Sequence, residues 1–223
     1  MKNRKTTIFL ISFFIILAAV FMTYFYKVTR ETPPTLPVLG NPGHKVGNFA
    51  FTNQEGQTIT QDDVKGKIRV VEYFFTTCKG ICPKMNENMV KVYEAFKGND
   101  DVKILSHTVD PKKDTVQAMK EYSLRFDADP KQWMFLTGDK KKLYDMARYD
   151  YLVTAADSSA TDIAADFIHT DRFVLVDRDG RIRGTYTGTD MGSVNQLIGD
   201  IKTLLHEPST NTHFVNSIFT NNL

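Results

Sequence analysis

The sequence is poor in cysteine and carries little net charge, and both shortages exclude classes of protein. Only two of the 223 residues are cysteine, so the chain is not a small scaffold stapled by several disulfides. The formal net charge is +2 and no long basic run occurs, so we expect no nucleic-acid partner. A hydrophobic share of 42% supplies one core without disulfides.

The N-terminal segment predicts a membrane anchor over residues 1–27. Residues 8–26 contain no charge and, at about 1.5 Å per residue, form a helix of about 28 Å, close to the thickness of a bilayer's hydrocarbon core. Basic residues before the span slightly outweigh those after it, which favours a cytoplasmic N-terminus. We therefore expect a single-pass protein of the cell (inner) membrane with an extracytoplasmic globular domain. A cleaved signal peptide is the alternative, and it also exports the chain.

The rest of the chain divides into a linker, one globular domain and a tail. Proline and glycine dominate residues 28–45, which predicts a partly extended spacer. Residues 46–206 read as the domain and residues 207–223 as a polar C-terminal tail. Within the domain, residues 154–166 are rich in Ala, Ser and Asp and predict a mobile loop.

Strands alternate with helices along the domain, which predicts an α/β fold with a partly parallel central sheet. We expect Asp114 to cap the second helix of the domain. The predicted elements, in chain order, are a hairpin over 47–60, a strand over 68–75, a helix over 84–96, a strand over 102–109, a helix over 114–126, a strand over 133–136, a helix over 140–149, a hairpin over 173–187 and a helix over 194–205.

The two cysteines, Cys78 and Cys82, lie together where a strand ends and a helix begins. Free N–H groups at a helix start favour a thiolate and lower its pKa. Soft thiolates bind Cu(I), zinc or iron–sulfur clusters. Helix positions i and i+4 hold Cβ atoms about 5–6 Å apart, wider than the 3.5–4.5 Å of a disulfide. That spacing favours a metal, but a reversible disulfide stays open, as do two merely buried thiols.

A third ligand would come from one of five histidines, of which His169 ends the predicted mobile loop. A ligand on such a segment can bind and release a metal. From the residues alone, however, a histidine on a loop is more often a surface residue. His107 lies inside a predicted strand, where a packed residue is the usual case.

Three motifs together resemble the Sco (SenC) family, over roughly residues 45–205. They are Phe-Phe-Thr-Thr-Cys-Lys-Gly-Ile-Cys-Pro, Val-Asp-Pro-Lys-Lys-Asp-Thr and His-Thr-Asp-Arg-Phe-Val-Leu-Val-Asp-Arg-Asp-Gly. The resemblance implies a thioredoxin-like fold with a central mixed sheet flanked by helices. It implies a membrane-anchored copper chaperone for the binuclear copper (CuA) centre of cytochrome c oxidase, with oxidase subunit II as the partner.

The same resemblance implies the site residues. Cys78, Cys82 and His169 are the expected ligands of copper, as Cu(I) and also as Cu(II), and Asp110 matches a family aspartate beside the site. Lys79 and Gly80 depart from the usual Pro and Asp or Glu between the cysteines, which alters charge but leaves the ligands. A periplasmic copper donor and a thiol reductant are further expected partners.

Other classes fit the residues less well. A peroxiredoxin requires Pro-x-x-x-Thr-x-x-Cys, but Val71 and Phe75 occupy the Pro and Thr places. A thioredoxin-like reductase normally has Cys-x-x-Cys, one residue shorter than this pair. A thiol–disulfide reductase that acts on cysteines of subunit II or other exported proteins remains the alternative, with Cys78 and Cys82 as its redox-active disulfide. We assign no other catalytic residue. A non-catalytic adhesion or scaffold domain is a third class, but it would not explain why the only two cysteines of the sequence share one turn.

Overall fold

The structure is a computed structural model that describes residues 3–31, 35–153 and 170–207. The chain forms two compact units, Met1–Thr35 and a second that begins at Leu36, and each is described by itself. The predicted loop over 154–166 and all of the predicted tail after residue 207 lie outside the described residues.

The first unit is a single helix, α1, over Arg4–Glu31. Its apolar stretch Thr6–Tyr26 is long and apolar enough to cross a membrane. The hydroxyls of Ser12 and Thr23 donate to backbone carbonyls of the same helix. An apolar stretch whose polar groups bond within the helix suits a lipid environment.

The second unit is built on a five-stranded mixed sheet, as predicted. Its strand order is β5-β4-β3-β6-β7. Strand β4 pairs in parallel with both β3 and β5, whereas β6 pairs antiparallel with both β3 and β7. The strands of the unit are β1 Ala50–Thr52, β2 Thr58–Thr60, β3 Ile68–Phe74, β4 Val102–Thr108, β5 Trp133–Leu136, β6 Arg172–Val176 and β7 Ile182–Thr187. Its helices are α2 Ile81–Phe96, α3 Val116–Ser123, α4 Lys140–Asp145 and α5 Met191–His206.

The predicted N-terminal hairpin forms a separate two-stranded sheet from β1 and β2. Gly56 adopts a φ of 76° in its turn, a conformation that glycine takes at little cost. The Asn53 side chain accepts from the backbone N–H of Gln57 and closes the turn. Phe51 is buried, so the hairpin is anchored by its apolar side.

Each face of the central sheet buries its own apolar cluster, because side chains alternate along the strands with a period of two. We call the side covered by α2, α3 and α5 the cysteine face; Val70, Phe74, Ile104, Trp133 and Phe173 point to it. We call the other side, covered by the hairpin and α4, the hairpin face; Val71, Tyr73, Leu105, Leu136 and Val174 point to it.

Several predicted helix boundaries are wrong for local reasons. Helix α2 begins at Ile81 rather than residue 84, because a proline such as Pro83 is tolerated in a first turn. Helix α3 begins at Val116 and is capped by Thr115, so the expectation of Asp114 as cap is wrong. Helix α4 ends at Asp145 and the chain continues as a π-helix over Met146–Asp150.

Part of the segment predicted as linker is hydrogen-bonded to the sheet. Leu39 pairs with Ile182 of β7 through a backbone hydrogen bond. The buried guanidinium of Arg183 donates to the carbonyls of Leu36 and Pro37. The residues from Leu36 onward that are predicted as spacer therefore belong to the second unit.

Candidate metal centre

The two cysteines follow the C-terminal end of β3, at the centre of the sheet. Strand β3 ends at Phe74, and a turn closed by the Cys78 N–H on the Phe75 carbonyl, 3.2 Å away, leads to α2. Cys78 lies in that turn and is half-buried, whereas Cys82 lies in the first turn of α2 and is only 4% exposed. Both are free thiols. The pair therefore presents one accessible and one protected sulfur.

The electrostatics of Cys82 differ from the expectation drawn from its position at a helix start. Burial raises the pKa of the Cys82 thiol above its ordinary value, and a hydrogen bond with Cys78 raises it further. A backbone hydrogen bond from Phe75 acts in the opposite direction but does not prevail. Desolvation of the charged form outweighs the helix-start effect, so Cys82 is a protonated thiol in the metal-free protein.

A polar cluster lies on the cysteine face close to Cys82. The Asn86 amide donates to the Cys82 carbonyl at 3.0 Å and to the Tyr122 hydroxyl at 3.2 Å. Burial raises the pKa of Tyr122, and the nearby Glu72 carboxylate raises it further. These contacts fix the first turn of α2 against α3.

Glu72 is the buried acid of this cluster, and sequence reasoning missed it. It is fully buried in β3, where its Oε1 accepts from Ser106, whose own oxygen accepts from the Trp133 indole. Burial raises the pKa of Glu72 to about 7, and the Ser106 hydrogen bond lowers it only in part. The signal for Glu72 in the sequence is a single carboxylate within a predicted strand of β-branched and aromatic residues.

Asp110, predicted to lie beside the site, follows the end of β4 in the loop next to the cysteine turn. Its carboxylate pairs with Lys113 at 3.1 Å, and its N–H donates to Thr108 Oγ1 at 2.9 Å. The backbone of Val109 donates to Phe74, so this loop starts where the cysteine turn starts. The structure thus places Asp110 on the loop that follows β4, beside the start of the cysteine turn, with its carboxylate paired to Lys113.

The predicted ligand His169 lies outside the described residues, and its position is therefore a prediction only. His107 points to the hairpin face, where its ring stacks on Tyr73 at 5.1 Å between centroids. His44 is 2.8 Å from the carbonyl of Asp150. Within the described part of the chain no three His, Cys, Asp or Glu side chains gather as a metal site.

The two thiols nevertheless suit copper. Thiolate sulfur is the soft donor that Cu(I) prefers, and the two sulfurs lie close enough to share a hydrogen bond. Two donors leave a place for one more ligand or for an incoming partner. The residues present therefore fit a Cu(I) ion.

Sheet order, helix placement and a Cys-x-x-x-Cys pair at the end of the central strand define a thioredoxin-like domain with a dithiol site. The SCO1/SenC family model matches residues 39–206. The chain belongs to this family. The predicted fold class and the predicted family are both confirmed.

Individual relatives agree with this assignment. The SCO1 protein homolog of Bacillus subtilis is 29% identical over 161 residues, 71% of this chain and 82% of that protein. BsSco, in which a disulfide switch was identified and whose Sco family comprises cytochrome c oxidase assembly proteins, has a TM-score of 0.63 and 26% identity, over 77% of this chain and 99% of that one.

A third relative carries the metal itself. The structure of Bradyrhizobium japonicum ScoI with copper bound has a TM-score of 0.57 and 28% identity, over 72% of this chain and 99% of that one. Copper is therefore bound by a structural neighbour of this chain.

Proposed function

We propose that this protein binds copper through Cys78, Cys82 and His169 and delivers it in the assembly of the CuA centre in subunit II of cytochrome c oxidase. The observation that carries the proposal is the pair of adjacent free thiols at the end of β3. The copper-bound relative supports the choice of metal. His169 enters from the sequence resemblance alone.

The two cysteines have different tasks in this proposal. Cys82, held by the core and by Asn86, is the fixed ligand. Cys78, half-buried in the turn, is the ligand that a partner's sulfur reaches first. A Cu(I) ion supplies the positive charge that stabilises both thiolates, so binding displaces the thiol protons. Because the pKa of Cys82 is raised, Cu(I) affinity must fall as the pH falls.

Delivery follows from the same asymmetry. An acceptor thiolate that approaches Cys78 can replace it on copper while Cys82 still holds the ion. Copper then passes by exchange of ligands with no change in oxidation state. Asp110, on the adjoining loop and paired with Lys113, contributes to the surface that the acceptor meets.

The proposal includes a membrane tether formed by α1. Its uncharged stretch Thr6–Tyr26 supports a single span with the domain outside the cytoplasm. Protease added to intact spheroplasts should then release the domain from its anchor. Protection of the domain until the membrane is permeabilised would contradict this orientation.

Maturation of cytochrome c oxidase in copper-limited cells tests the function. We expect His169→Ala and Cys78→Ser each to abolish assembly of the CuA centre, because each removes a ligand. His206→Ala is the matched control, since His206 is exposed at the end of α5 and should leave maturation intact. Normal maturation in the Cys78→Ser strain would sink the proposal.

Thiol–disulfide exchange is the second candidate, and the unequal burial of the two thiols favours it. Exchange requires an accessible attacking thiol and a protected resolving thiol, which Cys78 and Cys82 resemble. His169 separates the two candidates, because a metal site needs a third ligand and exchange does not. Normal oxidase maturation in His169→Ala, alongside its loss in Cys78→Ser, would favour the reductase.

A further inference from the structure

Asp114 is a buried carboxylate that joins the two loops of the candidate site. It is fully buried, and its carboxylate accepts from the Thr76 N–H at 3.2 and 3.3 Å and from the Thr76 hydroxyl at 2.5 Å. It also accepts from the Thr108 hydroxyl. Among the described residues these donors, the Thr76 N–H and the hydroxyls of Thr76 and Thr108, are all neutral groups.

Asp114 and its two partners, Thr76 and Thr108, belong to different parts of the site. Thr76 lies two residues before Cys78, and Thr108 ends β4. The Thr108 oxygen, while donating to Asp114, accepts from the N–H of Asp110. A continuous path of hydrogen bonds therefore runs from Asp110 through Thr108 and Asp114 to the cysteine turn.

The remaining polar atoms of Asp114 add to this role. Its N–H donates to the Asp110 carbonyl at 2.9 Å, and its own carbonyl accepts from the Thr137 hydroxyl at 2.9 Å. Helix α3 does not need the carboxylate, because Thr115 caps it by accepting from Ala118. The side chain of Asp114 is thus free to hold the turn that precedes Cys78.

We propose that Asp114 is the positioning residue of the copper site: it fixes the cysteine turn against the Asp110 loop and so sets the separation of the two sulfurs and the protection of Cys82. This inference rests on the proposed function for its copper part. Hydrogen bonds to a charged acceptor are stronger than those between neutral groups, so one carboxylate can restrain a turn. The residue acts through Thr76 and never touches the metal.

Variants of the detergent-solubilised full chain test the proposal with two measurements. The first is the rate of Cys82 alkylation in the metal-free reduced protein, followed by mass spectrometry; the second is Cu(I) affinity in competition with a chromophoric chelator. For Asp114→Asn we expect alkylation to be about tenfold faster and affinity about tenfold weaker, since loss of hydrogen bonds to a charged group is worth at least that factor.

Asp177→Asn is the matched control. Asp177 is also a buried carboxylate, but it binds Arg181 and Arg183 and follows β6 at the opposite end of β3 from Thr76. Asp177→Asn should lower the thermal midpoint of unfolding. The Cys82 alkylation rate and the Cu(I) affinity should nevertheless stay within about twofold of wild type, which is less than the loss of a hydrogen bond to a charged group would cause. Equal effects of the two variants at matched stability would overturn the positioning role.

A pair of variants at Thr76 keeps the test decisive if Asp114→Asn does not fold. Thr76→Val removes the hydroxyl donor at nearly constant volume, whereas Thr76→Ser retains it. We expect faster Cys82 alkylation and weaker Cu(I) binding in the first and near wild-type behaviour in the second. Identical values for the pair would refute the proposal. If wild type bound no Cu(I), the proposed function would fail, while the alkylation rates would still decide the role of Asp114.

Discussion

Each face of the central sheet carries a fully buried ionisable residue in its strands, Glu72 on one face and His107 on the other, and the surroundings of the two residues differ. On the cysteine face, Glu72 accepts a hydrogen bond from Ser106 and lies close enough to Cys82 to affect its pKa. On the hairpin face, His107 lies among aromatic rings, and neither ring nitrogen has a hydrogen-bond partner within the described part of the chain. The cysteine face thus provides its buried acid with a hydrogen-bond donor, whereas the hairpin face surrounds its histidine with aromatic rings.

The two residues should act on stability with opposite dependence on pH. Burial lowers the pKa of His107 from 6.5 to about 3, so its contribution is present above pH 6.5 and is lost as the pH falls towards 3. Burial raises the pKa of Glu72 from 4.5 to about 7, so its contribution is present below pH 4.5 and is lost as the pH rises through 7.

The largest expected effect is at His107. Replacing it by Phe should remove a loss of unfolding free energy of about 5 kcal/mol over the whole range from pH 6.5 to pH 3, of which about 3 kcal/mol falls between pH 7 and pH 4, because one pKa unit corresponds to about 1.4 kcal/mol. Denaturant unfolding of the full chain in detergent from pH 7 to pH 4 measures it. Because Glu72 contributes equally to both proteins, we expect the unfolding free energy of the variant relative to wild type to rise by about 3 kcal/mol between pH 7 and pH 4. Parallel curves would contradict a neutral, desolvated His107.

Glu72→Gln should give the second largest effect, of opposite sign. Relative to wild type, the variant should gain about 3 kcal/mol of unfolding free energy between pH 4.5 and pH 8, because the contribution of His107 is common to both proteins. Below pH 4.5 the two proteins should have similar stability, because glutamine resembles the protonated acid. An equal change with pH in both proteins would show that Glu72 does not take up its proton in the folded state.

The smallest expected effect compares one tyrosine hydroxyl on each face. Tyr122→Phe removes a hydroxyl bonded to Asn86 on the cysteine face and should cost about 1 kcal/mol of unfolding free energy. Tyr151→Phe on the hairpin face removes a hydroxyl without a partner among the described residues and should be neutral or stabilising. A larger loss of unfolding free energy in Tyr151→Phe than in Tyr122→Phe would contradict the difference between the two faces.

Much of the fold follows from patterns in the sequence. The run of β-branched and aromatic residues over β3 and the four-three-four spacing of Met85, Met89, Val92 and Phe96 predict a strand and a helix that the structure contains. The position of both cysteines at their junction follows from the same two patterns. Local periodicity is sufficient here because each element buries one continuous face.

Other features depend on contacts between distant residues and escape such patterns. Asp114 has the sequence context of a helix cap, yet its carboxylate turns to Thr76, 38 positions earlier, and Thr115 caps instead. The lowered pKa expected for Cys82 fails for a similar reason, because only the packed core desolvates the thiol. Burial and long-range hydrogen bonds are properties of the assembled sheet.

X-ray absorption of the reduced full-length protein loaded with Cu(I) tests the central claim most directly. We predict one copper per chain, bound by two sulfur atoms and one nitrogen atom, with the sulfur signal lost in Cys78→Ser/Cys82→Ser and the nitrogen signal lost in His169→Ala. Copper that binds with the same stoichiometry and spectrum after both cysteines are replaced would contradict the account.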